Sequence, residues 1–238
     1  LKQKLPCVHL VESAGVDLPN YSVKLWSKFG SVFYKKAKLS AAGIPVIAIL
    51  HGFSTAGGAY QIGMSDYVIG VKGNGMAALA GSALLKAATG EDATNNDIGG
   101  VEMHSVVTGS VEYLVNDDAE SIVTVRKLID QLNWNENDAQ KTILNFEEPE
   151  YPIEDLAGIV PTDYSKGYDV REVIARLVDQ SGFIELKPKY GLSMVCVQAK
   201  IEGLQCGIIA NNGPIDTKGA TKAAQFIQLC DQANIPLI

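Results

Sequence analysis

The feature that most narrows what this chain can fold into is the run from Ile44 to Leu50, Ile-Pro-Val-Ile-Ala-Ile-Leu, followed by His51 and Gly52. Seven apolar residues rich in β-branching fit a strand covered on both faces, the kind that occurs in parallel sheets flanked by helices. The run is far short of the roughly 18 apolar residues of a membrane-spanning helix, and no other stretch approaches that length.

Other short runs repeat the theme. Cys7 to Glu12, Tyr67 to Val71, Val195 to Ala199 and Cys206 to Ala210 read as further strands, alternating with segments of helical period, so the chain is α/β. Trp26, Phe29, Phe33 and Ala37 share one helix face, which the spacing predicts to pack on the sheet. Asp117 with Glu120 opens a second helix carrying Ile122, Val125, Ile129 and Leu132 inward, and Asp169 with Glu172 opens a third with Val173, Ile174 and Leu177. A last helix from about Lys218 has Ala220, Ala223, Ile227 and Cys230 on its stripe. Periodicity fails from about Asn135 to Lys166, where Pro149, Pro152 and Pro161 sit among acidic residues, so a boundary or surface crossover is expected there. The expected division is 1–140, a crossover 141–167, and 168–238. The opening Leu5-Pro6-Cys7-Val8 is echoed by Ile235-Pro236-Leu237-Ile238, 230 residues later, which suggests a duplicated unit.

Twenty basic against twenty-seven acidic side chains give a net charge of −7, and no run of lysines or arginines offers a footprint for nucleic acid. Neither nucleic acid nor a membrane is an expected partner. The cysteines Cys7, Cys196, Cys206 and Cys230 form no C-x-x-C pair, so they read as buried free thiols in a reducing compartment, and no metal site is expected. With Leu at position 1 and an apolar run before Ile238, the chain reads as a segment of a longer polypeptide.

Chemistry is expected where the central strand ends. After Leu50 the chain continues His-Gly-Phe-Ser-Thr55-Ala56-Gly57-Gly58-Ala-Tyr60, a turn that opens a helix whose leading N–H groups lack partners within it. Such donors can hold an anion, and paired glycines let a ligand approach the backbone. A tight packing turn is the plainer use of the same residues. Gly52-Phe-Ser54-Thr-Ala-Gly57 misses the G-x-S-x-G nucleophile elbow by one inserted residue, and His9, His51 and His104 are the only histidines able to serve as its base.

Thr55-Ala-Gly-Gly-Ala-Tyr60, Met64-Ser-Asp66, Val71-Lys-Gly73, Lys86-Ala-Ala-Thr-Gly-Glu91, Ile98-Gly-Gly100 with His104, Asp169-Val-Arg-Glu-Val-Ile174, Gly207-Ile-Ile-Ala-Asn-Asn-Gly213, and Phe226-Ile-Gln-Leu-Cys230 with Asn234-Ile-Pro236 occur in order along the whole chain. Together they resemble the carboxyltransferase (β) subunits of biotin-dependent acyl-CoA carboxylases, nearest the methylcrotonyl-CoA and geranyl-CoA branch. The resemblance implies a crotonase-like fold of superhelical ββα units in two related halves, the second only partly present here. It implies transfer of CO2 from carboxybiotin, carried by a biotin carboxylase/biotin carboxyl carrier partner, to an acyl-CoA enolate, in a homo-oligomer expected to be hexameric, in the cytoplasm or the mitochondrial matrix. A biotin-dependent decarboxylase and a non-catalytic scaffold paralogue are the alternatives. Gly57 and Gly58 are then the oxyanion hole, for the thioester oxygen or instead for the biotin carbonyl. Ser13-Ala14-Gly15 stands at the place of a Ser-Gly-Gly, so Ala14 and Gly15 are expected beside the CoA arm with Thr55 and Ala56; Ala78 is expected at the end of the acyl pocket or else against a neighbouring helix, with another side chain closing the pocket. His104 is expected to be structural, and Lys24, Lys28, Lys35, Lys36 and Lys38 to be a solvated helix face.

Overall fold

A computed structural model describes residues 2–13, 18–20, 22–132, 146–163 and 165–238. The chain divides into two compact units, residues 1–127 and 128–238. In the first, β1 (Cys7–Ser13), α1 (Val23–Ala41), β2 (Val46–Thr55), α2 (Ala59–Gly63), β3 (Tyr67–Val71), β4 (Met76–Ala78), α3 (Ser82–Thr89), α4 (Asn95–Gly99), α5 (Val101–Met103) and β5 (Tyr113–Val115) precede α6 (Asp118–Gln131). The sheet runs β1-β2-β3-β5, all parallel, with β4 also paired to β2. Val46 to Leu50 are at most 1% exposed, as the apolar run requires, and Leu50 and Ala48 join Val11, Val68, Val101 and Val111 in the core.

β2 continues five residues past Leu50. Its first half pairs with β3 (Ile47 opposite Tyr67), whereas Phe53, Ser54 and Thr55 pair with Met76, Ala77 and Ala78 of β4. Against β1 the register shifts between Val11, opposite Leu50, and Ser13, opposite Ser54. Hydrophobicity marked only the half buried on both faces, since Phe53 is 48% exposed and a polar residue alternates in at Ser54.

α1 departs from expectation. Trp26 and Phe29 do not pack on the sheet; both are about half exposed, and the one buried residue of the helix is Lys36. Polar contacts near its C-terminal end attach it instead: Lys36 Nζ donates to the Gln61 carbonyl at 2.5 Å and to Ser65 Oγ at 3.1 Å, and Ser40 Oγ donates to Asp66 at 2.6 Å. Burial lowers the Lys36 pKa, with Cys7 and Asp66 opposing that shift. In α6 the Glu120 N–H donates to Asp117 at 2.8 Å as a cap, yet Ile122 faces out and Leu128 in.

The second unit holds α7 (Leu156–Ile159), α8 (Val170–Ile174), β6 (Phe183–Glu185), β7 (Met194–Ile201), β8 (Leu204–Asn211) and α9 (Thr217–Ala233). β6, β7 and β8 form an antiparallel meander. The Ile235-Pro236 step ends it: Leu237 bridges Gly207 in parallel, with the Gly207 N–H donating to the Pro236 carbonyl at 2.8 Å; the counterpart in the first sheet is the Ile44-Pro45 entry to β2, where the Cys7 N–H donates to the Pro45 carbonyl at 2.8 Å, and not the expected Leu5-Pro6 entry to β1. α9 buries Cys230 as expected, but with Gly219, Lys222, Phe226 and Leu229 in place of the rest of the expected stripe, and Ile227 is 46% exposed. The reason is electrostatic: Lys222, fully buried, reaches Glu185 at 3.0 Å, and Glu185 also accepts from Arg171 Nε (2.7 Å) and Nη2 (2.8 Å). A pattern that treats lysine as a surface residue picks the neighbouring stripe. Leu177, expected inside, is 42% exposed, while Val170, Ile174 and Val178 are core. The described part of the crossover is tied to this unit by Glu150 N–H donating to Ser181 Oγ (2.9 Å) and by Arg176 on Asp155 (3.4 Å). Cys196, Cys206 and Cys230 are buried and unpaired, and burial pushes the Cys230 thiol up to about 12.

Candidate active site at three strand ends

β1, β2 and β4 run parallel, and their carboxyl ends lie side by side: Ser13 opposite Ser54, and Thr55 opposite Ala78. In parallel α/β sheets ligands bind at such ends. Thr55, Ala56, Gly57, Gly58 and Ala78 all fall there; Ala14 and Gly15 follow Ser13 in the chain but lie outside the described residues.

From the extended Thr55 (φ −111°, ψ 163°) the chain enters the turn Ala56–Gly58, which leads into α2. Ala56 has φ +50°, a left-handed conformation that costs a side-chain-bearing residue on the order of 1–2 kcal/mol. The Ala59 N–H bonds back to the Ala56 carbonyl, so the turn closes on itself and its leading N–H groups have no partner inside it. α2 is only five residues long, so the donors owe little to a helix dipole; the turn geometry presents them.

The two glycines differ. A Cβ at Gly57 would meet nothing within 4 Å, so its face is open. A Cβ at Gly58 would sit 2.5 Å from Ser54 Oγ and 2.9 Å from Ser13 Cβ, so Gly58 is the packing glycine that lets the turn lie on β1 and β2. The two glycines therefore stand apart: Gly58 packs, and Gly57 leaves its face open.

β4 is held from behind. A Cβ at Gly99 would be 2.5 Å from the Ala77 carbonyl oxygen and 2.9 Å from the Ala78 Cβ, so α4 approaches β4 through that glycine and the Ala78 methyl faces it. His104 Nε2 lies 2.8 Å from the Ala77 carbonyl and Nδ1 2.9 Å from Thr108 Oγ1. A carbonyl can only accept, so Nε2 carries a proton, and with both ring nitrogens engaged His104 fastens β4 to the segment after α5. Thr94 and Asp97 cap α4 reciprocally. The roles of Gly99 as the clamp on β4 and of Ser13 and Ser54 as the floor under Gly58 were not read from the sequence.

Ser54 Oγ is fully buried and has no hydrogen-bond partner among the described residues, so no histidine activates it. His51 instead stands 3.8 Å from Asp118. Of the five helix lysines, Lys36 is buried against α2 and the others are exposed. Among the described residues no three histidine, cysteine, aspartate or glutamate side chains gather as metal ligands, and no helix is long and apolar enough to cross a membrane.

Residues 1–238 match the carboxyl transferase domain family. The chain is 44% identical to the mitochondrial methylcrotonoyl-CoA carboxylase beta chain of Dictyostelium discoideum, over all of this chain and 40% of that one. A solved transcarboxylase 12S hexamer with hydrolysed methylmalonyl-coenzyme A superposes with a TM-score of 0.89 at 33% identity, over 99% of this chain and 47% of that one. The beta subunit of P. aeruginosa geranyl-CoA carboxylase is 46% identical over 99% of this chain and 44% of that one, with a TM-score of 0.51. The chain thus spans less than half the length of these relatives.

Proposed function

Because the chain belongs to the carboxyl transferase domain family and has its crotonase-like α/β fold, we propose that it is the carboxyltransferase part of a biotin-dependent acyl-CoA carboxylase, of the branch that includes methylcrotonyl-CoA and geranyl-CoA carboxylases. The observation that carries this reading is the turn Ala56–Gly58, strained at Ala56 and open at Gly57, at the carboxyl ends of three parallel strands.

Carboxybiotin, brought by a partner carrier domain, supplies the CO2 and a nitrogen able to take a proton from the acyl-CoA. The chain's own task is to hold negative charge on oxygen as the thioester becomes an enolate. Backbone N–H groups suit that task because they are fixed before reaction and do not titrate, and one donor of this kind is worth about 3–4 kcal/mol. Gly57 and Gly58 take this role; the open Gly57 face has room for a thioester oxygen, and the biotin carbonyl is the other oxygen such a hole could serve. Thr55 and Ala56, with Ala14 and Gly15 after β1, border the CoA arm. No side chain in the turn is asked to act as acid or base.

Ala78 is assigned to the acyl end, with its methyl turned toward Gly99 of α4, so closure of the pocket by another side chain is the competing reading. Each methylene newly accommodated there is worth about 0.8 kcal/mol, so kcat/KM is expected to rise from short to longer or branched acyl-CoA thioesters and Ala78→Phe to reverse that order. An unchanged rank order in a folded variant overturns the assignment.

The partners in this reading are a biotin carboxylase/biotin carboxyl carrier subunit and further copies of the carboxyltransferase, in a hexamer like that of transcarboxylase 12S. The relatives from Dictyostelium discoideum, Drosophila melanogaster and Arabidopsis thaliana are named mitochondrial; the matrix, or the cytoplasm of a bacterium, is the proposed location. Incorporation of labelled bicarbonate into methylcrotonyl-CoA or geranyl-CoA by the reconstituted holoenzyme tests the reading. Release of CO2 from a carboxylated acyl-CoA without any such incorporation supports the decarboxylase instead, and neither reaction in an assembled complex supports a scaffold.

A further inference from the structure

The second unit contains a cavity of about 310 Å³ between the crossover segment and the end of β7. Its walls include Phe146, Tyr151, Ile153 and Leu177, which are 42–55% exposed. Four large apolar side chains around one concavity form the kind of exposed patch that marks an interaction site.

Arg176 gives the cavity its polar character. The side chain is 9% exposed, its Nη1 donates to the Glu172 carbonyl (2.8 Å) and carboxylate (2.9 Å), and its Nη2 lies 3.4 Å from Asp155. The guanidinium stacks over Tyr151 at 5.2 Å. Its Nε, buried, has no hydrogen-bond partner among the described residues. A buried donor left unpaired costs on the order of 1–3 kcal/mol, so an acceptor at this point is worth as much.

The charge of the surroundings decides what can bring that acceptor. Two carboxylates already balance Arg176, Glu148 and Glu202 line the cavity, and residues 146–155 contain five acids and no base. Asp179, also in the wall, is taken up by the N–H groups of Glu202 (2.8 Å) and Gly203 (2.7 Å). An anionic ligand would be repelled by this rim. A neutral acceptor carried among positive charges, with an apolar group beside it, answers all three features, and a basic stretch of polypeptide has that composition.

We propose that this cavity docks a basic, apolar segment of a partner polypeptide. Its apolar side chain lies between Tyr151 and Leu177, a main-chain carbonyl accepts from Arg176 Nε, and lysine or arginine side chains meet Glu148 and Glu202. Occupancy of this site does not depend on the carboxyltransferase reading.

The test uses a fluorescein-labelled, end-blocked tetrapeptide in which two lysines flank leucine and phenylalanine, and a twin with glutamate in place of each lysine, titrated by anisotropy against the full protein. Saturable binding of the basic peptide is expected, with the acidic twin weaker by about tenfold or more. Leu177→Asp should weaken the basic peptide by a similar factor, and Leu204→Asp, exposed but outside the cavity, should leave it unchanged; circular dichroism checks both folds. Arg176→Lys, which keeps the charge and loses the Nε donor, should cost severalfold. Raising salt from about 50 to about 500 mM should weaken the basic peptide as well. Absence of saturable binding, equal affinity for the two peptides, or indifference to Leu177→Asp overturns the proposal.

Discussion

Adding one methyl group to each glycine of the turn should separate packing from chemistry. In Gly58→Ala the new Cβ arrives 2.5 Å from Ser54 Oγ, 2.9 Å from Ser13 Cβ and 3.0 Å from Ser13 Oγ, against a normal separation near 3.5 Å or more. Ser54 is fully buried and cannot swing away, so β1 or the turn must shift. Overpacking of this size costs about 1–3 kcal/mol, which for a chain of this length lowers Tm by roughly 2–12 °C. In Gly57→Ala the methyl meets nothing and φ lies outside the left-handed range, so stability should stay within about 0.5 kcal/mol. If the open face receives the oxyanion, that methyl stands where substrate must approach, and kcat/KM should fall by on the order of tenfold to a hundredfold, about 1.4–2.7 kcal/mol. Thermal melts by circular dichroism and bicarbonate incorporation by the holoenzyme, run on both variants, read the two quantities. Adding Ser54→Gly to Gly58→Ala removes the nearest clash and should restore part of the lost stability. A Gly58→Ala protein as stable as wild type refutes the packing role, and a fully active Gly57→Ala protein refutes the hole.

Three further outcomes are expected. Ser54→Ala should leave activity intact and leave stability equal or up to about 1 kcal/mol higher, because the buried hydroxyl has no partner among the described residues; labelling of Ser54 by a serine-directed phosphonate would contradict its burial. Glu185→Gln should cost about 3–5 kcal/mol by leaving Lys222 charged and fully buried, whereas Lys222→Met, which leaves Glu185 on Arg171, should cost clearly less; equal urea midpoints would show that the ion cluster is not the cause. The Thr94 hydroxyl and N–H hold the Asp97 carboxyl below its ordinary 3.8, and the Gly219 N–H with the Ser193 hydroxyl does the same for Asp216. A carboxylate with a lowered folded-state pKa binds its proton less readily when folded, so its contribution is complete above about pH 4 and is lost as pH falls through the lowered values. Melts from pH 5 to pH 2 should show that loss, and a slope unchanged in the Asp97→Asn, Asp216→Asn double variant would assign it to other groups.

The sequence by itself determined the parallel α/β character, because a run such as Ile44 to Leu50 can be satisfied only by cover on both faces. It also marked the helix starts at Asp117 and Asp169, where a side chain caps the N–H groups a few residues ahead, and the turn at Gly57 and Gly58 after the central strand. These are short-range matters: period, capping and backbone freedom act within a few residues. Only the tertiary structure decided which of the two glycines is open, because the answer lies in Ser13, some 45 residues away along the chain and beside Gly58 in space. It alone seated Lys36 and Lys222 inside, since a lysine is buried only where distant groups, the Gln61 carbonyl or Glu185, are brought to meet its charge. It likewise turned Trp26 and Phe29 outward and Leu177 into a cavity wall. Amphipathic period shows that a helix has an apolar face; what covers that face depends on residues remote in sequence, whose placement the local pattern does not contain.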